Sequence, residues 1–427
     1  MTEARGFTID IDQNSYLPVS GSQVDAIVTV TMTEATDAAP PTDNALEIII
    51  VDCSTSMSGD KIVSARRATE AAIAELREGV SFTVIAGTET AEQVYPSLSA
   101  SAMASARTRA EATAQVQRLQ ADGGTGIGAW LRLAAHIADQ HPGAVNHAIL
   151  LTDGQNGEHP SQFAAALQDC VGKFTCDCRG VGTDWEVQEL RAISSTLLGS
   201  VDIVADPADL AADFRAIMGT AMGKRLSDVA LRLWTPPDAT VQFVKQVAPT
   251  VEDLTSRRIE SGKRTGDYPL GSWGAETRDY HIKVHLTPRH VGEKILAARV
   301  KLIQTGSDEE LAQGLITATW TDDSALSTRI SRGVAHYTGQ VELATAIQDG
   351  LTARKAGDQA TATARLGRAV ALAAASGNDA SAQLLERVVE VIDAPSGTVR
   401  LRAEVTAADE MTLDTRSTKT VRVRGGS

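Results

Sequence analysis

Between Leu46 and Gly223 the chain alternates between short apolar runs and longer amphipathic stretches, and no other feature restricts its fold so strongly. Leu46 to Val51 is apolar but for Glu47, the pattern of a strand covered on both faces. Lys61 to Arg77 places Ile62, Ala65, Ala72 and Leu76 on one side of a helix, with Gly79 as its stop. Val80 to Ala86 predicts a strand, and Ser99 to Gln120 an Ala-rich helix, continuous or interrupted. Trp130, Leu133, Ala134 and Ile137 then recur at helical spacing. Strands His147 to Leu151, Thr175 to Val181 and Val201 to Ala205 alternate with helices Ser161 to Val171, Glu186 to Leu197 and Ala208 to Met222. Repeated strand–helix units of this kind predict a doubly wound α/β sheet, Rossmann-like, over 45–223.

The flanks read differently. Residues 1–40 alternate with period two: Phe7, Ile9 and Ile11 share one face, and Val24, Ala26, Val28, Val30 and Met32 another. A Pro-rich link, Ala38 to Asn44, follows. Alternation returns over 226–325, most clearly at Tyr280, Ile282, Val284 and Leu286, then at Leu296, Ala298, Val300 and Leu302, with a hairpin tip at Gly306 and Ser307. Two strands alone are marginal in water, so the opening pair is expected to complete this second region as a β-sandwich, into which the α/β domain is inserted. Residues 335–394 are helical. Leu343, Ile347 and Leu351 stack, as do Ala362, Leu366 and Val370, and Leu384, Leu385, Val388 and Val389 make a third helix. The stretch from Gly357 to Ala369 resembles one tetratricopeptide-type hairpin; a single repeat cannot build a solenoid, so a small bundle is expected. Residues 395–427 offer a strand, Val399 to Val405, and a Thr- and Arg-containing tail.

The net charge of -14 is spread along the chain, which argues against a nucleic-acid partner, because phosphates need a basic face. Met1 to Ile11 alternates and is acidic, unlike a secretory leader. The apolar runs fall far short of the ~20 residues of a membrane helix. Four cysteines in 427 residues make no disulfide framework. Together these features predict a cytoplasmic protein with no membrane partner.

Three short segments carry the chemistry. Leu46 to Val51 runs into Asp52-Cys53-Ser54-Thr55-Ser56, which offers one carboxylate and two hydroxyls at the carboxyl end of a buried strand. Gly123-Gly124-Thr125-Gly126-Ile127-Gly128 is a flexible loop that opens a helix and carries one hydroxyl. Ile149-Leu150-Leu151-Thr152-Asp153-Gly154 is a strand that ends in a carboxylate. Doubly wound sheets bind ligands at that edge, and hard cations prefer oxygen.

These segments resemble the metal-ion-dependent adhesion site of von Willebrand factor A (VWA) domains, as in integrin I domains. Asp52, Ser54, Ser56, Thr125 and Asp153 match the family's Asp-x-Ser-x-Ser, Thr and Asp in type and order. The resemblance covers roughly Leu46 to Met222. It implies that Ser54, Ser56 and Thr125 ligate a divalent cation directly, and that Asp52 and Asp153 do so directly or through water. Mg²⁺ is the first expectation, with Mn²⁺ or Ca²⁺ able to take its place. With only two carboxylates near it and neutral hydroxyls as its other ligands, such a cation is expected to keep residual positive charge and an open coordination position, so an Asp or Glu from a protein partner would complete its shell. In the family such an exchange is often coupled to movement of the last helix, here Ala208 to Met222.

Other readings stay beside this one. The metal could serve the fold alone, or the chain could present substrates to a chelatase-like AAA+ ATPase. Catalysis is not expected, because Ser54 and Ser56 have no histidine in their motif. Cys170, Cys176 and Cys178 suggest zinc, but a strand sets Cys176 and Cys178 about 7 Å apart, so buried reduced thiols are the better reading. Cys53 is read as a small core residue. His281 and His285 on an alternating strand would lie roughly 13 Å apart on a solvated face. The hydroxyls from Met411 to Thr420 suggest either an exposed edge strand or a phosphorylation segment read by a phosphothreonine-binding module. The latter would link the protein to Ser/Thr kinase signalling.

Overall fold

The computed structural model describes residues 6–33 and 44–422. Most of the Pro-rich link and the last residues of the tail therefore lie outside the described residues. The chain opens with strands β1 (Phe7–Gln13), β2 (Tyr16–Pro18) and β3 (Gln23–Met32). The α/β region follows: β4 (Ala45–Asp52), α1 (Asp60–Glu75), β5 (Ser81–Gly87), β6 (Ala91–Tyr95), β7 (Ala102–Met103), α2 (Ala106–Val116), α3 (Ile127–Ala138) and β8 (Val145–Thr152). It ends with α4 (Pro160–Cys170), β9 (Thr175–Val181), α5 (Val187–Thr196), β10 (Val201–Val204) and α6 (Leu210–Met222).

These strands form a seven-stranded mixed sheet in the order β10-β9-β8-β4-β5-β6, with β7 also on β5. Strands β10 to β5 are parallel; β6 and β7 run antiparallel to β5. All eight residues of β4 are buried, as its apolar run requires. Ile62, Ala65, Ala72 and Ile73 of α1 and Phe214, Ile217 and Met218 of α6 share one core with Ile49, Val51, Ile149 and Leu151 of the sheet. From β4 the chain steps to β5 on one side and later returns to β8 on the other. The carboxyl ends of β4 and β8 therefore flank the point where strand order reverses, the crevice in which such sheets bind ligands.

Ser99 to Gln120, expected as a helix continuous or interrupted, is helical only over Ala106–Val116: Ala102–Met103 pairs with β5, and α2 starts after Ser105. Ser105 and Thr108 exchange side-chain and backbone hydrogen bonds as a capping box, which fixes that start.

The other unit unites the opening strands with Asp228–Leu270 and Ala275–Ser427, while the α/β unit reaches Ser227 and includes Gly271–Gly274. Its strands are β11 (Leu226–Trp234), β12 (Ala239–Ala248), β13 (Glu252–Asp253), β14 (Ile259–Gly262), β15 (Thr265–Trp273), β16 (Thr277–Leu286), β17 (Lys294–Gln304) and β18 (Glu309–Thr321). One sheet runs β1-β3-β16-β12-β13 and the other β14-β15-β11-β17-β18-β2. Strand β3 thus pairs with β1 and with the distant β16, both antiparallel. Gly314 of β18 faces β1 closely; a Cβ there would lie 2.7 Å from Ile11 Cδ1 and 2.8 Å from Ile9 Cγ2.

Helices α7 (Ser324–Ser327), α8 (Arg332–Lys355), α9 (Gln359–Ser376) and α10 (Asp379–Val388) come next. Val389, expected on the third helix, instead opens β19 (Val389–Asp393), which pairs with β20 (Thr398–Leu401). From Met411 to Ser417 the tail is neither an edge strand nor exposed. Helix α11 (Ala407–Arg416) buries Leu413 against Leu343, Ile347, Leu385 and Val388, and Thr412, Thr415 and Ser417 are buried with it. Beyond it, Val251 N donates to Thr418 O at 2.8 Å and Thr420 Oγ1 to Val247 O at 2.7 Å.

His281 is also not solvated. It is buried, 2.7 Å from Asp25 Oδ1 and edge-on to Phe243, because the strand beside it supplies polar and aromatic cover; His285 is exposed. No described helix is long and apolar enough to cross a membrane.

Candidate metal centre

Two strand ends and two loops bring the candidate residues together. Asp52 closes β4, and the chain turns through a short 3-10 segment, Thr55–Met57, before α1. Three backbone bonds hold this turn against neighbouring loops. Cys53 N donates to Gly87 O at 2.7 Å, Asp122 N to Cys53 O at 2.7 Å and Thr55 N to Gly123 O at 3.0 Å. Gly87 must be glycine, since a Cβ would lie 2.3 Å from the Trp130 ring. That ring donates from Nε1 to Thr88 O at 2.6 Å and so anchors α3, at whose start Thr125 stands.

The side chains interlock. Asp52 Oδ1 accepts from Ser54 N at 2.8 Å, and Oδ2 accepts from Thr152 Oγ1 at 2.5 Å. Ser54 Oγ and Ser56 Oγ lie 2.9 Å apart, and Ser56 Oγ donates to Asp153 Oδ1 at 2.7 Å. Gly154 shows how Thr125 joins them: a Cβ at this position would lie 3.2 Å from Ser56 Oγ, 3.3 Å from Thr125 Oγ1 and 4.0 Å from Asp52 Oδ2. Asp52, Ser54 and Asp153 form a buried floor, whereas Ser56 is exposed and Thr125 half-buried. The cluster is open on one side.

Thr125 is held from behind. Gly157 N donates to Thr125 O at 2.7 Å, Ile127 N to Asn156 Oδ1 at 3.1 Å, and Gly128 N to Glu158 Oε2 at 2.7 Å. A carboxylate at a helix start satisfies amides that have no partner in the helix.

Burial raises the Asp52 carboxyl above its ordinary range, and its hydrogen bonds to Ser54 and Thr152 only partly offset this. A desolvated carboxylate of this kind gains from a nearby cation. The donor set, two carboxylates and three hydroxyls, is all oxygen and suits a hard divalent ion.

Lys61 enters the cluster from α1, a residue that the motif alone does not mark. Its Nζ donates to Asp153 Oδ2 at 2.5 Å and to Asp184 Oδ2 at 3.2 Å. Burial would lower the pKa of this ammonium, but the two carboxylates outweigh it and raise it. Glu89 borders the opening, accepts from Gly124 N at 2.7 Å and is thereby held below the usual carboxylate range. Position at a strand end or in the first helical turn was the available signal for Lys61 and Thr152.

The cysteines are all buried and free. Cys176 and Cys178 approach more closely than the strand rise suggests, with Sγ atoms 4.0 Å apart, because both side chains lean into one packed face. Burial pushes the Cys53 thiol up to about 12, as a small core residue would show. Among the described residues, no group of three or more His, Cys, Asp or Glu gathers to hold a metal.

The profile described as von Willebrand factor type A domain matches residues 47–203, and that of the von Willebrand factor type A C-terminal domain matches 371–417. A solved von Willebrand factor type A structure from Catenulispora acidiphila is 47% identical to this chain. The match covers 99% of this chain and 98% of that one, with a TM-score of 0.93. The ArnB paralog VWA2 from Sulfolobus acidocaldarius shares the fold at 12% identity and a TM-score of 0.60, over 98% of this chain and all of that one. An uncharacterized protein of Synechocystis sp. is 29% identical over 213 residues, 48% of this chain and 49% of the relative. The chain thus spans about half the length of that curated relative. On the Catenulispora match, end to end at nearly half identity, the chain belongs to the von Willebrand factor type A family.

Proposed function

We propose that this protein is a metal-dependent, protein-binding module of the cytoplasm. In this reading Ser54, Ser56 and Thr125 ligate a divalent cation, Mg²⁺ first, with Mn²⁺ or Ca²⁺ able to replace it. Asp52 and Asp153 bind it directly or through water. Domains of the family generally mediate protein interactions and can bind metal at such a site. The bound ion would supply a directional positive charge, and an Asp or Glu of a partner would complete its coordination. The observation that carries the reading is the approach of Ser56, Thr125 and Asp52 oxygens to the one place at Gly154 where a side chain is missing. Four buried, free cysteines support a reducing compartment. We further read the two sheets of the other unit as one β-sandwich, into which the α/β domain is inserted in sequence.

Three other readings stand beside it. The kinase-linked reading needs accessible hydroxyls in the tail, and Thr412, Thr415 and Ser417 are buried. No feature of the fold favours an ATPase adaptor or a purely structural ion over recruitment.

Titration calorimetry with MgCl₂ and MnCl₂ tests the metal, and Asp52→Ala should lose at least ~tenfold in affinity while its circular dichroism is unchanged. Partners co-purified from the native host should be lost on adding EDTA and with the same variant. Unaltered metal binding in Asp52→Ala would end this reading.

A further inference from the structure

Lys61 brings a fixed positive charge to the edge of the oxygen cluster. Its stem passes Gly182, where a Cβ would lie 4.0 Å from Cε, and its ammonium bridges Asp153 Oδ2 and Asp184 Oδ2. Asp153 is fully buried, and its two oxygens are divided: Oδ1 faces Ser56 and Oδ2 faces Lys61. The loops that border the cluster, 53–59, 88–90, 121–126, 153–159 and 182–186, contain no other Lys or Arg. One residue alone therefore sets the positive side of the local balance.

We infer that Lys61 holds down the affinity of the metal centre for its cation, by occupying Asp153 Oδ2 and placing a like charge beside the ion. This rests on the metal reading above. The ammonium is shared between Asp153 and Asp184, so it offsets part of the negative charge that draws a cation to the cluster. Without the ammonium the cation would be held more tightly, because a like charge beside it has gone and Asp153 is no longer shared. Lys61 is a positioning residue in this account: it acts on the ion through Asp153.

The test is calorimetric titration of MgCl₂ and of MnCl₂ into the full chain and into Lys61→Met, Lys61→Gln and Lys61→Arg. Circular dichroism and a thermal melt check folding, and Lys61→Gln serves if the Met variant does not fold. Loss of the charge should tighten metal binding by about tenfold or more, while Lys61→Arg stays within about threefold of the parent. A merely structural lysine would instead leave affinity unchanged or weaken it in all three variants. Unchanged or weaker binding in the Met and Gln variants, beside clear binding in the parent, overturns the inference alone. Binding in none of the four proteins overturns the metal reading and the inference with it. Binding seen only in the uncharged variants supports the inference.

Discussion

Gly154 sits where any side chain would press on the hydroxyls of Ser56 and Thr125, at 3.2 and 3.3 Å from a built Cβ. Gly154→Ala should therefore push these oxygens apart by a few tenths of an ångström. We expect metal affinity to fall about tenfold and stability by roughly 1 kcal/mol, read by calorimetry and by urea denaturation. An affinity within twofold of the parent would mean that the two hydroxyls do not serve a common ion. The candidate residues were legible in the sequence because each lies in a contiguous motif at the end of a strand or the start of a helix. Their neighbours were not. Lys61 depends on the reach of a long side chain to Asp153, and the burial of His281 depends on Asp25 and Phe243 from other strands. Period-two alternation fixes which way a residue points, but not what covers it there.

Among the elements, α11 departs most from its sequence pattern. Its Thr-rich run suggested a strand, since β-branched residues favour pleated surfaces. Thr406 caps the helix by accepting from Asp409 N, and Leu413 buries its whole side chain in the α8–α9–α10 core. Leu413→Ala should cost about 2–5 kcal/mol in chemical denaturation. A loss below ~1 kcal/mol would show that α11 is not part of that core. The alternating strands and helices of the α/β unit were far easier to read, because β4 and β8 are long apolar runs and α1 and α3 keep a clear apolar face. The stretch Ser99 to Gln120, only partly helical, is short of such signals: two residues pair with β5, and only the Ser105–Thr108 cap marks where helix begins.

At the scale of the molecule, one buried charge group should govern pH dependence. At the amino ends of β4, β8 and β9, His147 lies 2.7 Å from Glu47 Oε2 and 3.0 Å from Asp177 Oδ2. Burial alone would lower its pKa, but the charge of Glu47 and the hydrogen bonds to Asp177 and Glu47 outweigh this and raise it to about 10. The folded state binds this proton more tightly than the unfolded chain does. Its contribution to stability is complete below about pH 6.5 and is lost as the pH climbs toward about 10. Urea midpoints should fall between pH 7 and pH 10, and His147→Gln should flatten that slope; an equal slope in the variant would place the effect elsewhere.

The pairing of β3 with β16 has a consequence for how the chain is made. Strand β3 emerges from the ribosome early, yet the strand that must lie along its free edge, Thr277–Leu286, is translated only after the entire α/β unit. During that interval its unpaired backbone is a template for the wrong neighbour. The nascent protein has every opportunity to finish its α/β half first. The free edge of β3 is satisfied only when β16 arrives.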